Sequence, residues 1–470
     1  MTSDPILSAF EALAAAHPQD TLMLSSGKTA SIADIDRLAD DVQRRASEQD
    51  VPAGAIVGLA APNGPAFAAG YLGLRRAGFR VLLMEARTPL PERQRIQLRL
   101  QCSGVIVVDT GWPSSAEEFQ ISLDPKITPP DIPDAISTIR LTSGSTGEAR
   151  GIGITSQSLL TDDAAIRSTM ELKNERALAA IPLSHAYGFS SLFLPALSQG
   201  WPLVFPDGIS PFAAIRAANE GRITFLPTVP AYLEALLKME AVPPLPSTLA
   251  RVITAGAPLR PETAHRFREA FGRPVHVFYG ASEVGGICYD RRGDAGERGT
   301  LGTPLEGVTV TLEPHEELEQ GQGIVEVHSP AAAIGYLPED DDSLGGGRFL
   351  TSDIGSFVSD ELQLLGRKDS IVNVRGKKIN PREIEKVLEN LDGIGDSVVM
   401  GIRHTSSIEN SLAAVVAGDN LPPLEDILGW CRHHLAPHKV PRRILRVPAL
   451  PRTPRGKLDR ALVRKWLESR

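Results

Sequence analysis

The chain is 470 residues long with 42% hydrophobic and 23% charged residues, more than a single hydrophobic core accommodates, so two or more globular domains are expected. A net charge of −8, with no basic stripe interleaved with aromatics, argues against a nucleic-acid partner. Three widely spaced cysteines (Cys102, Cys288, Cys431), no basic-then-apolar N-terminal segment and no apolar run near the ~20 residues that span a bilayer predict a cytoplasmic protein without a membrane span.

In chain order, Ser31 is placed to cap a helix that carries Ile32, Ile35, Leu38, Ala39 and Val42 on one face, with Asp34 at the capping-box position. Residues 55–60 read as a buried strand, and a helix follows Pro62-Asn-Gly-Pro65 through Ala77. Residues 81–84 and 105–108 are further apolar strands, and residues 113–133 a polar, proline-containing loop. The rhythm resumes through Phe278. Strands spaced by amphipathic helices predict an α/β class with layered, mostly parallel sheets.

From about Glu297 the pattern changes to short alternating runs at 308–312, 323–328, 349–350 and 362–365, which predict an antiparallel β subdomain or a small β-barrel over about residues 297–365. Near Asp369 a third texture begins: strand 371–374, a helix from Pro381, strands 397–400 and 412–416, and a helix over 422–435, a compact α+β domain. Asn380 as N-cap, Pro381 at N1 and Glu383 at N3 start its first helix. The acidic run Glu339-Asp-Asp-Asp342 beside Gly345-Gly-Gly347 reads as a solvated loop rather than a cation site. The pair His433-His434 reads as a partly exposed helix face rather than a metal site.

The most informative stretch runs from Leu141 to Gly151. Its glycines let the backbone lie close against a ligand, and successive N–H groups in such a loop form a nest for phosphate oxygens. Hydroxyls of Thr142, Ser143, Ser145 and Thr146 add donors or a magnesium ligand, and Arg150 adds a fixed cation able to grip phosphate in two places. The order differs from G-x-x-x-x-G-K-[ST]. Taken alone, the stretch fits a flexible surface linker equally well.

Further segments follow in a fixed order: Pro182-Leu-Ser-His185-Ala-Tyr-Gly188, Thr254-Ala-Gly-Ala-Pro-Leu259, Tyr279-Gly-Ala-Ser-Glu283, Thr351-Ser-Asp353-Ile-Gly355, Gly366-Arg367-Lys-Asp369, Val374-Arg-Gly-Lys-Lys-Ile-Asn-Pro-Arg-Glu-Ile-Glu385 and Leu450-Pro-Arg-Thr-Pro-Arg-Gly-Lys457. From roughly Thr29 onward, the ordered set resembles the adenylate-forming superfamily of acyl-CoA synthetases, adenylation domains of peptide synthetases and luciferases. The resemblance implies activation of a carboxylic acid by Mg-ATP to an acyl-adenylate, with release of pyrophosphate and, in most members, transfer of the acyl group to a thiol. It implies an N-terminal adenylation core over 1–367 and a small mobile C-terminal lid over 368–470, hinged at Asp369.

The same resemblance assigns residues. The loop with Thr142, Ser143, Gly144, Ser145, Thr146, Gly147 and Arg150 would hold the β- and γ-phosphates. Tyr279 would face adenine, with Gly280, Ala281 and Ser282 beside it and Gly256, Ala257 and Pro258 on the other side. Glu283 and Thr146 would bind magnesium, Asp353 would accept both ribose hydroxyls, and Arg367 would steady the sugar. Lys457 would neutralise charge as the carboxylate attacks the α-phosphate, and His185 would serve the acyl site. Arg375, Gly376 and Lys377 would line the thiol-acceptor channel. One departure is visible: Ala149-Arg150 stands where the family commonly has Pro-Lys, which keeps the charge but changes its geometry.

The apolar segments 189–197 and 225–231 are candidate walls for the acid, and no acidic residue is obviously placed to pair with an amino group. A fatty or aromatic acid is therefore favoured over an amino acid, and CoA is the expected co-substrate. Transfer to an acyl carrier protein, a standalone adenylation enzyme and a non-catalytic ATP-binding relative remain open alternatives.

Overall fold

The structure is a computed structural model that describes residues 4–143, 149–208, 210–239, 242–316, 318–368, 372–374, 377–403, 410–435, 439–453 and 458–468. Two compact units emerge, one of residues 1–310 with 327–350, the other of 311–326 with 351–470.

The first unit is built on two mostly parallel sheets. The smaller holds six strands in the order Gly335–Leu337, Ala149–Thr155, Ile136–Ser143, Arg80–Met84, Ile56–Ala60, Cys102–Val107. Its last four run parallel, and the first two are antiparallel additions. Every residue of Ile56–Ala60 and of Arg80–Met84 is buried, as strands covered on both faces must be. The larger sheet has nine strands, and its central five parallel pairings run from His276–Ala281 through Arg251–Thr254, Phe225–Thr228, Ala177–Leu178 and Leu203–Val204 to Thr21–Ser25.

The helix Ile32–Ser47 starts where Ser31 predicts. The Ser31 hydroxyl accepts from the Asp34 N–H at 3.1 Å, and the Asp34 carboxylate accepts from the Ser31 N–H at 3.0 Å. Its apolar face packs on the helix Pro65–Arg76. There a Cβ on Gly73 would stand 2.7 Å from the Ala39 carbonyl oxygen, so the contact requires glycine. Ser31→Ala should cost about 1 kcal/mol, read as a lower urea midpoint at unchanged slope.

In the second unit, Asp396–Arg403 and Asn410–Ala417 are antiparallel, and Arg443–Val447 adds parallel to the latter. The alternation is strict: Val399, Leu412 and Val416 face the helices Pro381–Glu389 and Leu424–His434, while Val398, Met400, Ala413 and Val415 face the helix Arg460–Glu468. The Asn380 side chain accepts from the Arg382 N–H at 3.0 Å, as its N-cap role predicts, and donates to the Leu365 carbonyl at 3.0 Å.

A large, mostly parallel α/β region and a smaller α+β region thus agree with the expected class. The β-rich segment forms a five-stranded sheet in the order Thr309–Glu313, Gln322–His328, Arg348–Val358, Leu344–Gly345, with Glu361–Arg367 also on Arg348–Val358. Among the described residues no pairing closes it into a barrel, and the pairings of Arg348–Val358 with Leu344–Gly345 and with Glu361–Arg367 are antiparallel. No helix among them is long and apolar enough to cross a membrane.

Candidate functional site

In the first unit, the sequence-predicted nucleotide residues sit at the carboxyl ends of parallel strands, where open α/β sheets bind ligands. Thr142 ends Ile136–Ser143, Gly256, Ala257 and Pro258 are exposed just past Arg251–Thr254, and Tyr279, Gly280 and Ala281 end His276–Ala281. Ser282 and Glu283 lie in the turn that leads to Gly285–Tyr289. Thr142 pairs with Arg150, and Ser143 with Ala149, across an antiparallel ladder, so the two strands converge on the loop between them. Residues 144–148, with Gly144, Ser145, Thr146 and Gly147, lie outside the described residues, as do Asp369, Arg375, Gly376 and Lys457 and the side chains of Ser143 and Lys377.

The best-defined cluster joins Arg150 to Glu283 through Tyr336, a residue that the sequence reading passes over. The Tyr336 hydroxyl donates to Glu283 Oε1 at 3.0 Å, and the Arg150 guanidinium lies 3.9 Å from the Tyr336 ring centroid. Burial, with the Glu283 carboxylate next to it, pushes the Tyr336 hydroxyl up, so it remains a donor at neutral pH. The Glu283 backbone is held as well, its carbonyl accepting from the Ala333 N–H at 2.8 Å. Arg150 also pairs with Asp341 at 3.3 Å and donates to the Glu339 carbonyl at 3.4 Å, while Glu339 pairs with Arg99 at 2.7 Å. The acidic run is therefore a strap for two arginines, a role its composition alone does not signal.

This cluster explains the departure at Arg150. A planar guanidinium can stack on a ring and still engage a carboxylate and a carbonyl, whereas a lysine ammonium is a single point charge. Arg150→Lys should lose the stack, worth about 1 kcal/mol, and raise the ATP KM about fivefold in a pyrophosphate-release assay. An unchanged KM would make the stack irrelevant to nucleotide binding.

Magnesium is tested by the donors present. Glu283 is a half-buried carboxylate with one oxygen engaged by a neutral hydroxyl, and the described residues hold no group of three or more His, Cys, Asp or Glu able to form a cage. One carboxylate together with substrate phosphates is the usual arrangement for Mg²⁺, so the donor set fits.

His185 follows the strand-loop 177–184 and pairs through Nε2 with Glu85 Oε1 at 2.7 Å. Glu85 lies just past the strand Arg80–Met84 and went unnoticed in the sequence. The segment 189–197 serves largely as core: Phe189 and Phe193 are fully buried against Phe67 and Tyr71, with ring centroids 5.0–6.5 Å apart. Its two phenylalanines are packing residues rather than a free wall.

In the second unit, Asp353 and Arg367 are register partners on neighbouring strands and pair at 3.3 Å. Arg367 also donates from Nε to the Ser352 hydroxyl at 3.1 Å, and the Asp353 N–H donates to the Thr351 hydroxyl at 2.9 Å. This is the pair to which the family resemblance gives the ribose.

Comparison with known proteins bears on the family. The model of the AMP-binding enzyme family matches residues 10–337, and that of the AMP-binding enzyme C-terminal domain matches 383–457. A 4-coumarate–CoA ligase-like protein of Oryza sativa subsp. japonica is 29% identical over 70% of this chain and 60% of its own length. One of the plipastatin synthase proteins of Bacillus subtilis is 26% identical over 96% of this chain but only 19% of its own length. The ATP-bound MatB of Rhodopseudomonas palustris superposes with a TM-score of 0.85 at 21% identity, covering 98% of this chain and 99% of that one. The chain belongs to the AMP-binding enzyme family, the adenylate-forming proteins whose motifs it carries.

Proposed function

We propose that the protein is an AMP-forming acid–thiol ligase. It activates a fatty or aromatic carboxylic acid with Mg-ATP and passes the acyl group to CoA. The observation that carries this reading is the Arg150–Tyr336–Glu283 cluster at the foot of the glycine- and hydroxyl-rich hairpin.

A carboxylate oxygen of the acid attacks the α-phosphorus. The bond to the bridging oxygen breaks, and pyrophosphate leaves with the electron pair. A thiolate then attacks the acyl carbonyl, expelling AMP and leaving a thioester. The protein's part is positioning and electrostatics rather than covalent chemistry. The loop over 142–150 and Arg150 hold the β- and γ-phosphates, and Tyr279 with Gly256, Ala257 and Pro258 holds the base. Asp353 and Arg367 hold the ribose. When bound by Glu283 and Thr146, magnesium supplies charge neutralisation on the phosphates. His185, steadied by Glu85, faces the acyl group. A lid over 368–470, hinged at Asp369, brings Lys457 to the α-phosphate and later offers Arg375, Gly376 and Lys377 to the thiol. Three free, buried thiols, Cys102, Cys288 and Cys431, support a reducing cytoplasmic setting.

The test is pyrophosphate release from Mg-ATP across a panel of fatty, aromatic and amino acids, each with and without CoA. Release with one acid class, stimulated by CoA, is the expected result. Stimulation only by a phosphopantetheinylated carrier protein would reassign the acceptor. ATP binding without release for any acid would favour a non-catalytic relative.

A further inference from the structure

The turn that carries Glu283 has a second anchor besides Tyr336. Asp162, in the helix Ser156–Thr169, is only 3% exposed, and its Oδ1 accepts from the Gly286 N–H at 2.8 Å. The approach is close enough that a Cβ on Gly285 would stand 2.3 Å from that same oxygen, and Gly285 holds a φ of +75°. Gly285 and Gly286 are the register partners of Ala281 and Gly280, so this one contact grips the returning limb of the turn 281–285. The other limb is continuous with Tyr279.

A buried carboxylate is costly unless compensated. Burial pushes the Asp162 carboxyl up, while the Ser190 hydroxyl, the Gly286 N–H and the Arg140 charge favour its ionised form. Arg140 is equally buried. It donates to the Ser190 hydroxyl at 3.1 Å, lies 5.4 Å from the Phe189 ring centroid, and belongs to the strand that leads into the glycine-rich loop. A buried carboxylate within the field of a buried guanidinium, with its hydrogen bond spent on the turn 281–285, serves geometry more than stability.

We infer that Asp162 is a positioning residue for Glu283: through the Gly286 N–H it fixes the turn that presents the Glu283 carboxylate. The functional half of this inference rests on the adenylation reading, and the structural half does not.

The experiment compares Asp162→Ala, Asp162→Asn and Gly285→Ala with the wild type in the full chain, following amide hydrogen exchange of residues 281–286 in the free protein and steady-state pyrophosphate release. Asp162→Ala should speed exchange at Gly286 about tenfold and lower kcat about tenfold or more, with the KM of the acid within about twofold. Asp162→Asn keeps the acceptor oxygen and should restore both quantities to within about threefold of the wild type. Because Asp162→Ala removes the nearest carboxylate influence on buried Arg140 and can fail to fold, Gly285→Ala provides the independent arm. It retains both charges, displaces the contact at the cost of some strain in the turn at a φ of +75°, and should reproduce the kcat loss. Exchange unchanged in Asp162→Ala and Gly285→Ala, or faster exchange with kcat unchanged, would overturn the assignment, as would an Asp162→Asn protein no better than Asp162→Ala. If the wild type released no pyrophosphate with any acid, the adenylation reading would fall, while exchange at Gly286 would still decide whether Asp162 holds the turn.

Discussion

Glu283→Gln should lower pyrophosphate release by about two orders of magnitude while leaving the fold and the Tyr336 contact in place. Glutamine matches glutamate in shape, and its amide oxygen can still accept from the Tyr336 hydroxyl that now sits 3.0 Å from Glu283 Oε1. The Glu283 carbonyl also keeps its bond to the Ala333 N–H, so the turn has no reason to move. On the proposed function, what disappears is one negative charge that would face the divalent cation accompanying the triphosphate. The loss should therefore depend on magnesium: raising Mg²⁺ should recover part of the activity, whereas raising the acid should not. The measurement is kcat/KM for ATP over a series of magnesium concentrations, with thermal melting as a control for folding. A fall of less than about threefold at limiting magnesium would remove Glu283 from the cation site.

The sequence made some of this legible and hid the rest for physical reasons. Local rules sufficed where the determining partner lies within a few residues. Ser31 finds Asp34, Asn380 finds Arg382, and both helices start where their caps place them. Fully covered parallel strands such as Ile56–Ala60 are legible because both faces demand apolar side chains. The two-residue strands Ala177–Leu178 and Leu203–Val204 carry no such signal, since their pairing is set by neighbours far along the chain. The same distance hides Tyr336, 53 residues from the glutamate it holds, and Asp162, which in Thr161-Asp162-Asp163 looks like any helical acid. Residue type also misleads. Phe189 and Phe193 suit a substrate wall and a protein core equally, and contacts with Phe67 and Tyr71 decide for the core. The acidic run 339–342 is exposed at Glu339, Asp340 and Asp342, as a solvated loop should be, but composition cannot name the arginines, Arg99 and Arg150, that two of its members meet. The chemistry-bearing motifs were legible as an ordered set, each of them too short to stand alone.

Lys457→Ala should reduce adenylate formation by about three orders of magnitude and leave transfer from a supplied acyl-adenylate nearly unchanged. The reasoning is electrostatic. As the carboxylate attacks the α-phosphorus, negative charge gathers between the incoming oxygen and the departing pyrophosphate, and a cation there in a water-poor site lowers the barrier far more than it would in bulk solvent. Thioester formation places its charge on the acyl carbonyl and the departing AMP, for which the same lysine is not required. Lys457 itself lies outside the described residues, but its surroundings predict that the substitution is structurally mild. Leu458 bridges Arg452, the Asp459 N–H donates to the Pro451 carbonyl at 2.9 Å, and the helix Arg460–Glu468 is anchored by buried Val463 and Leu467. Removing one side chain next to these anchors should not release them. The two half-reactions are separated by assaying acid- and ATP-dependent pyrophosphate release on one hand, and CoA-dependent AMP release from synthetic acyl-adenylate on the other. Loss confined to the first half-reaction, with melting unchanged, assigns Lys457 to the adenylation transition state. Equal loss in both would mean that the substitution had disturbed the second unit as a whole. Loss only in the second would place the lysine with the thiol acceptor and require another cation for the α-phosphate.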